Sequence, residues 1–241
     1  MIELKNLSCS FEDKRVLQNI SLTIAQHLCI LGANGSGKST LAKALCGLVT
    51  YEGDIFLDER SINSFSLIEK AKAIAYIPAK LEIYDAHISV QDFILLGRFA
   101  YKKSFFEYAH KDVEMVKETL EFLNISRLKH NLLNELSSGE QQLVLIAQAL
   151  VQQSQIIIFD EPTANLDPKN SKIIAQHIKE LKKNHNIILI THDLHFAAYI
   201  DSPVAFIQEH ALHYYEDDFF TDTRLEELYG VSFDGLAVQY D

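Results

Sequence analysis

Apolar and polar residues alternate from residue 2 to residue 24, with Ile2, Leu4 and Leu7, then Val16, Leu17, Ile20, Leu22 and Ile24 on the apolar side. A period of two marks strands with one buried face, and this stretch predicts two or three antiparallel strands. The pattern changes at Leu28-Cys-Ile-Leu31, a short continuous apolar run of the kind a strand buried on both faces requires. Leu41 to Cys46 reads as a helix that stops near Gly47, residues 54–57 as a strand, and Ser66 to Ala73 as a helix. Ala73 to Ile77 reads as a buried strand ended by Pro78. From about Ile88 to Gln153 the period becomes helical. Ser89 can cap a helix running through Leu96, and Val113, Val116, Leu120 and Leu123 recur at helical spacing within Lys111 to Leu123. Leu143, Ala147, Leu150 and Val151 form the apolar face of a further helix. Ile156 to Phe159 and Ile187 to Ile190 are two more buried strands. The expectation is one α/β domain. Residues 1–84 and 154–241 make the core with an antiparallel β subdomain, and residues 85–153 make an inserted helical subdomain.

The chain of 241 residues is long enough for a large core, and 48% of its residues are hydrophobic, which is ordinary for a globular protein. No apolar run approaches the roughly 20 residues of a membrane span. Met1 to Lys5 lacks the basic-then-apolar pattern of a signal peptide. Work at a membrane would therefore require a membrane-bound partner. The net charge of −11 argues against a broad nucleic-acid surface. Cys9, Cys29 and Cys46 are scattered without C-x-x-C spacing, as expected for reduced, mostly buried thiols in a cytosolic protein.

Chemistry concentrates first at Gly32-Ala33-Asn34-Gly35-Ser36-Gly37-Lys38-Ser39-Thr40, which fits G-x-x-x-x-G-K-[ST] between a strand and a helix. Glycines let successive backbone N–H groups turn inward on phosphate oxygens, and the helix N-terminus adds partial positive charge. Lys38 can reach the β- and γ-phosphates, and the Ser39 hydroxyl can ligate Mg²⁺. This is a nucleotide-binding loop.

Three further stretches bear on the reaction. Leu136-Ser137-Ser138-Gly139-Glu140-Gln141-Gln142 opens a helix, and Ser137 with Glu140 makes a capping box, which leaves a second helix N-terminus where an anion could bind. Asp160 and Glu161 follow the apolar strand Ile156 to Phe159, at the end of the strand where ligands bind in open parallel sheets. Asp160 is placed to hold Mg²⁺ through water, and Glu161 to act as general base on an attacking water; an ordinary solvated acidic turn is the alternative. Thr191-His192-Asp193 closes the next buried strand, and His192 can donate to a γ-phosphate or steer the water. Phe11 fits two roles equally: stacking on an adenine face or filling the core. His192 with His195, and His210 with His213, have H-x-x-H spacing, but neither pair has the further ligands of a zinc motif.

Taken together and in order, these motifs resemble the ATP-binding subunit of ABC transporters over nearly the whole chain. Residues 32–40 match Walker A, and Leu136 to Gln142 match the signature usually written LSGGQ. Ile156 to Glu161 match Walker B with the catalytic glutamate, Ala164 to Asp167 the D-loop, and His192 the switch histidine. Phe11 matches the adenine-stacking aromatic position. The resemblance implies a P-loop NTPase (RecA-like) fold and Mg-ATP hydrolysis. It also implies a head-to-tail dimer in which each ATP lies between Walker A of one copy and Ser137, Ser138, Gly139 and Glu140 of the other. The expected partners are membrane permease subunits, docking near residues 79–110 on the cytoplasmic face of the inner (plasma) membrane, and a substrate-binding protein indirectly; nucleic acid is not expected. Val90-Gln-Asp-Phe-Ile-Leu-Leu-Gly97-Arg98 and the short tail around Leu225 to Val231 resemble importers of ferric siderophores, haem and cobalamin. Two positions depart: Ser138 stands for the first glycine of the signature, the milder change, and where the family places the Q-loop glutamine after Tyr76-Ile-Pro78, this chain has Ala79. A nucleotide-gated dimerising clamp with weak hydrolysis, or the ATPase of a different ABC transporter, are the alternatives.

Overall fold

The computed structural model describes residues 1–11, 14–82, 85, 87–102 and 108–232, without the side chain of Phe11. In chain order the elements are β1 (Ile2–Phe11), β2 (Lys14–Ile24), β3 (Leu28–Gly32), α1 (Lys38–Leu45), β4 (Glu52–Leu57), β5 (Arg60–Ser61), α2 (Leu67–Ala73) and β6 (Ile74–Ile77). There follow α3 (Val90–Leu95), α4 (His110–Phe122), α5 (Ser138–Val151), β7 (Ile156–Asp160), α6 (Pro168–Leu181) and β8 (Asn186–Ile190). The last elements are α7 (Leu194–Ile200), β9 (Val204–Gln208), β10 (Ala211–Tyr215) and α8 (Asp222–Tyr229).

The strands form two sheets. The first is antiparallel, in the order β2-β1-β4-β5. The second runs β10-β9-β3-β8-β7-β6, parallel throughout except for the β9–β10 hairpin at its edge. The sequence patterns follow from what covers each sheet. In β2 one face is open, so burial alternates. Strands β3 and β7 are buried at every position because each lies between two layers. Cys29, Leu31, Ile157, Phe159, Ile187 and Leu189 pack toward α3–α6, while Ile30, Ile158, Ile188 and Ile190 pack toward the first sheet and α1. The C-terminal ends of the parallel strands lie together: β3 leads into residues 32–40, β7 into Glu161, and β8 into His192.

Helices α3, α4 and α5 all lie in sequence between β6 and β7, and their core residues Ile94, Val116, Leu120 and Val144 join the same cluster as one face of the large sheet. Ser89 caps α3, its hydroxyl accepting the Asp92 N–H at 3.2 Å. The face of α4 is rotated from the expectation. Val116, Leu120 and Leu123 are buried, but Val113 is 38% exposed and Asp112 is buried in its place. The cause is Arg98, also buried. Its Nε donates to Asp112 Oδ1 at 2.8 Å, and its Nη1 donates to Val151 O at 2.7 Å and to Gln153 Oε1 at 2.9 Å. A buried guanidinium needs such a set of acceptors. Gly97 beside it has no room for a side chain, since a Cβ would sit 2.4 Å from Gln148 O on α5. The Gly97-Arg98 pair thus joins α3, α4 and the C-terminal end of α5.

Candidate active site

β3 ends at Gly32 with φ of 147°, where a Cβ would lie 2.5 Å from Ile207 O on β9. The chain then turns through residues 33–36 and enters α1 from Gly37, whose φ is 105° and whose Cβ would strike Leu17 and Val16 of β2 at 2.8 and 2.9 Å. Only glycine satisfies both positions. Gly37 offers no side-chain cap to α1, so the first N–H groups of that helix keep their capacity for an anion. Lys38 is buried and folds back on the loop, donating from Nζ to Gly32 O at 2.8 Å and Ala33 O at 3.0 Å. Burial pushes its ammonium below the ordinary lysine value, opposed by the nearby Glu161 and Asp160 carboxylates. The Ser36 hydroxyl is buried without a partner. A cavity of about 340 Å³ opens over this loop, lined by Val16, Asn34, Gly35, Gly37, Lys38, Ser39, Thr40 and Glu161.

The acidic residues complete the arrangement. Ser39 Oγ donates to Asp160 Oδ1 at 2.9 Å, and the Tyr76 hydroxyl donates to Asp160 Oδ2 at 2.7 Å. Burial first, and then the bond to Asp160, push the Tyr76 phenol well above its ordinary value, so it remains a donor. Glu161 takes φ of 50°, a conformation costing a non-glycine residue about 1 kcal/mol. Its N–H donates to Ile190 O at 2.8 Å, and its Oε2 meets His192 Nδ1 at 2.9 Å. Among the described residues no group of three or more His, Cys, Asp or Glu is placed to hold a metal by itself. Mg²⁺ at phosphate sites does not need one: it is held by one or two carboxylates together with the substrate's phosphates. The Ser39–Asp160 pair beside an uncapped, anion-seeking helix end fits that donor set.

Glu140 closes the second helix N-terminus on itself. Ser137 N and Oγ donate to Glu140 Oε2 at 3.0 and 2.8 Å, Ser137 Oγ accepts the Glu140 N–H at 3.4 Å, and Arg127 donates to Glu140 Oε1 at 2.6 Å. Those bonds to Ser137, followed by Arg127, hold the Glu140 carboxyl below its ordinary value. A Cβ on Gly139 would lie 2.7 Å from the Asn170 side chain, which Asp167 anchors at the start of α6. The structure thus brings together Gly32 to Thr40, Asp160, Glu161 and His192. Ser137, Ser138, Gly139 and Glu140 do not line the cavity over the loop. The Phe11 side chain lies outside the described residues. Of the paired histidines, His192 is engaged with Glu161, and His210 Nδ1 faces Val16 O at 3.1 Å. Two residues escape the sequence reading as parts of the site: Val16, read only as an apolar strand residue, and Tyr76, read only within a buried strand. Tyr76 had a signal, a single phenol in a buried strand, which needs a partner for its hydroxyl.

The sequence profile described as ABC transporter matches residues 17–164, which hold the phosphate loop, the capped helix of the signature and both carboxylates. The chain belongs to the ABC transporter family. It is an ATP-binding subunit and an ATPase, with the P-loop NTPase core, antiparallel β-sheet and inserted helices of that family. A probable iron chelatin transport ATP-binding protein of Helicobacter pylori is 35% identical over 218 residues, covering 88% of this chain and 85% of the relative. A solved inward-facing conformation of a putative metal-chelate type ABC transporter superposes with a TM-score of 0.83 at 25% identity, covering 96% of this chain and 89% of that one. A dimeric structure of a bacterial ABC transporter cassette superposes with a TM-score of 0.77 at 26% identity, covering 88% of this chain and 97% of the other.

Proposed function

We propose that this ABC ATPase powers import of a metal chelate, of the iron chelate, haem or cobalamin class, through a membrane permease, and that it works as a head-to-tail dimer. The observation that carries the mechanism is the convergence, at the C-terminal ends of β3, β7 and β8, of an open phosphate loop, the Ser39–Asp160 pair and the Glu161–His192 pair. Residues 32–40 bind the phosphates, and Lys38 leaves its loop carbonyls for the β- and γ-phosphates. Ser39 and Asp160 would hold Mg²⁺, which when bound supplies charge to neutralise the phosphate oxygens. Glu161 takes a proton from water as that oxygen attacks the γ-phosphorus and the bond to ADP breaks. His192 holds the Glu161 carboxylate through its Nδ1–H in the free chain and turns that N–H to the γ-phosphate when nucleotide is bound. Catalysis is then mainly positioning and electrostatics. Ser137, Ser138, Gly139 and Glu140 are assigned to the ATP of the partner copy; the dimeric cassette among the relatives favours this. The core of 1–84 and 154–241 and the helical insertion of 85–153 would carry the two halves of that composite site.

The importer reading draws on the named relatives and on the Gly97-Arg98 stretch. Among the described residues no helix is long and apolar enough to cross a membrane. A peripheral position on the cytoplasmic face of the plasma membrane would follow from docking on the permease. An apolar groove of about 360 Å³, lined by Leu67, Ile68, Leu96 and Phe99 among others, favours such docking: Leu67 is 85% and Phe99 64% exposed. Part of it falls within the expected 79–110 region. A substrate-binding protein would act on the permease and not on this chain.

The nucleotide-gated clamp is the second reading, because Ala79 cannot contact metal or water as the Q-loop glutamine does. The two separate by turnover of the purified chain as its concentration rises, beside Glu161→Gln. The motor gives turnover that climbs faster than linearly and vanishes in the variant. Bound ATP without turnover, even with the permease in a bilayer, overturns it. Stimulation by an iron chelate in such vesicles tests the cargo.

A further inference from the structure

We propose that Tyr76 is a positioning residue for the metal of the nucleotide, its hydroxyl fixing the Asp160 carboxylate that Ser39 holds from the other side. This rests on the assignment of Ser39 and Asp160 to Mg²⁺. β6 and β7 are parallel neighbours, with Tyr76 paired to Ile158, so Asp160 lies two residues farther along the adjoining strand. Tyr76 reaches Oδ2 at 2.7 Å and Ser39 reaches Oδ1 at 2.9 Å. Each oxygen of a carboxylate that is only 4% exposed is therefore held by a donor from a different element, β6 or α1. Two such bonds define the plane of the carboxyl group, which a single bond does not.

The rest of β6 explains why the hydroxyl matters. Ile74, Ala75 and Ile77 are buried and apolar, and Phe at position 76 would supply the same ring to the core. A phenol in such a strand costs free energy unless its hydroxyl is paired, and here the pair is a charge-assisted bond to the metal-side acid. Across Ile74 to Ala79, Tyr76 is the one side chain with a hydrogen-bonding group, and Ala79 stands where the resemblance places a glutamine. The polar link between this segment and the metal side of the site thus runs through Tyr76.

The test uses the full chain and a fluorescent ATP analogue, with affinity followed against free Mg²⁺ and in EDTA. For Tyr76→Phe the expected result is a rise of about tenfold in the free Mg²⁺ giving half of the metal-dependent gain in affinity. Affinity in EDTA stays at the parent value. Asp160→Asn provides the reference, and the double variant should lose no more than Asp160→Asn alone, because Tyr76 acts through that carboxylate. A Mg²⁺ profile of Tyr76→Phe overlapping the parent overturns the proposal, as does an equal loss with and without Mg²⁺, which would make the phenol a packing group. A parent whose affinity ignores Mg²⁺ overturns both this proposal and the assignment of Ser39 and Asp160.

Discussion

The chain contains two helix N-termini suited to anions, and they are built in opposite ways. α1 begins after Gly37 with no side chain on its first N–H groups, a buried lysine beside it and a cavity above it. α5 is capped by Ser137, whose N–H and hydroxyl both donate to Glu140, with Arg127 securing the same carboxylate. The first end is prepared to receive phosphate within one chain. In the second, the Ser137 hydroxyl takes up the Glu140 N–H and Glu140 in turn holds Ser137. That difference matches the proposed division of labour, in which one copy binds ATP at α1 and a second copy adds α5 only on closure.

The largest expected effect attacks the open end. Lys38→Ala should lower ATP affinity by about a hundredfold, since a charged donor to phosphate is lost; equilibrium binding of a fluorescent nucleotide measures it, and unchanged affinity would erase the contrast. Ser137→Arg comes next. It should leave ATP binding by the separate chain intact while keeping the protein monomeric at concentrations where the parent dimerises with ATP. Normal dimerisation would remove α5 from the composite site. Ser137→Ala is milder and should cost about 1 kcal/mol of folding stability in a denaturant titration, the usual worth of an N-cap. A stability equal to the parent's would show that the capping box is idle.

The smallest effect is with pH. The Glu140 carboxyl is held below its ordinary value of 4.5, so its cap contributes fully above that pH and is lost as pH falls through the lower folded value. Acid should loosen the start of α5, seen as faster amide exchange at Gly139 and Glu140, and Glu140→Gln should remove that dependence. Exchange that is flat from neutral pH to below 4 after correction for intrinsic rates would contradict it.

Local pattern made part of this legible. The phosphate loop stands in four fixed positions between a strand and a helix, and the buried strands announce themselves because both sheet faces are covered. Residues joined across long separations did not show. Tyr76 and Asp160 meet only because β6 and β7 are neighbours. Val113 and Asp112 both fit the helical period of α4, and the choice between them was made by Arg98, outside that helix. β10, at the sheet edge, has no buried position and hence no apolar signal. The Ser137–Glu140 box was readable as a cap and as an anion-seeking helix end, whereas its proposed use by another copy came from the resemblance and not from the spacing.

The composite site is tested most directly by sedimentation of Glu161→Gln with saturating Mg-ATP or with ADP, with bound nucleotide measured in the same samples. The account predicts a dimer with ATP and a monomer with ADP. A monomer with ATP bound would contradict it.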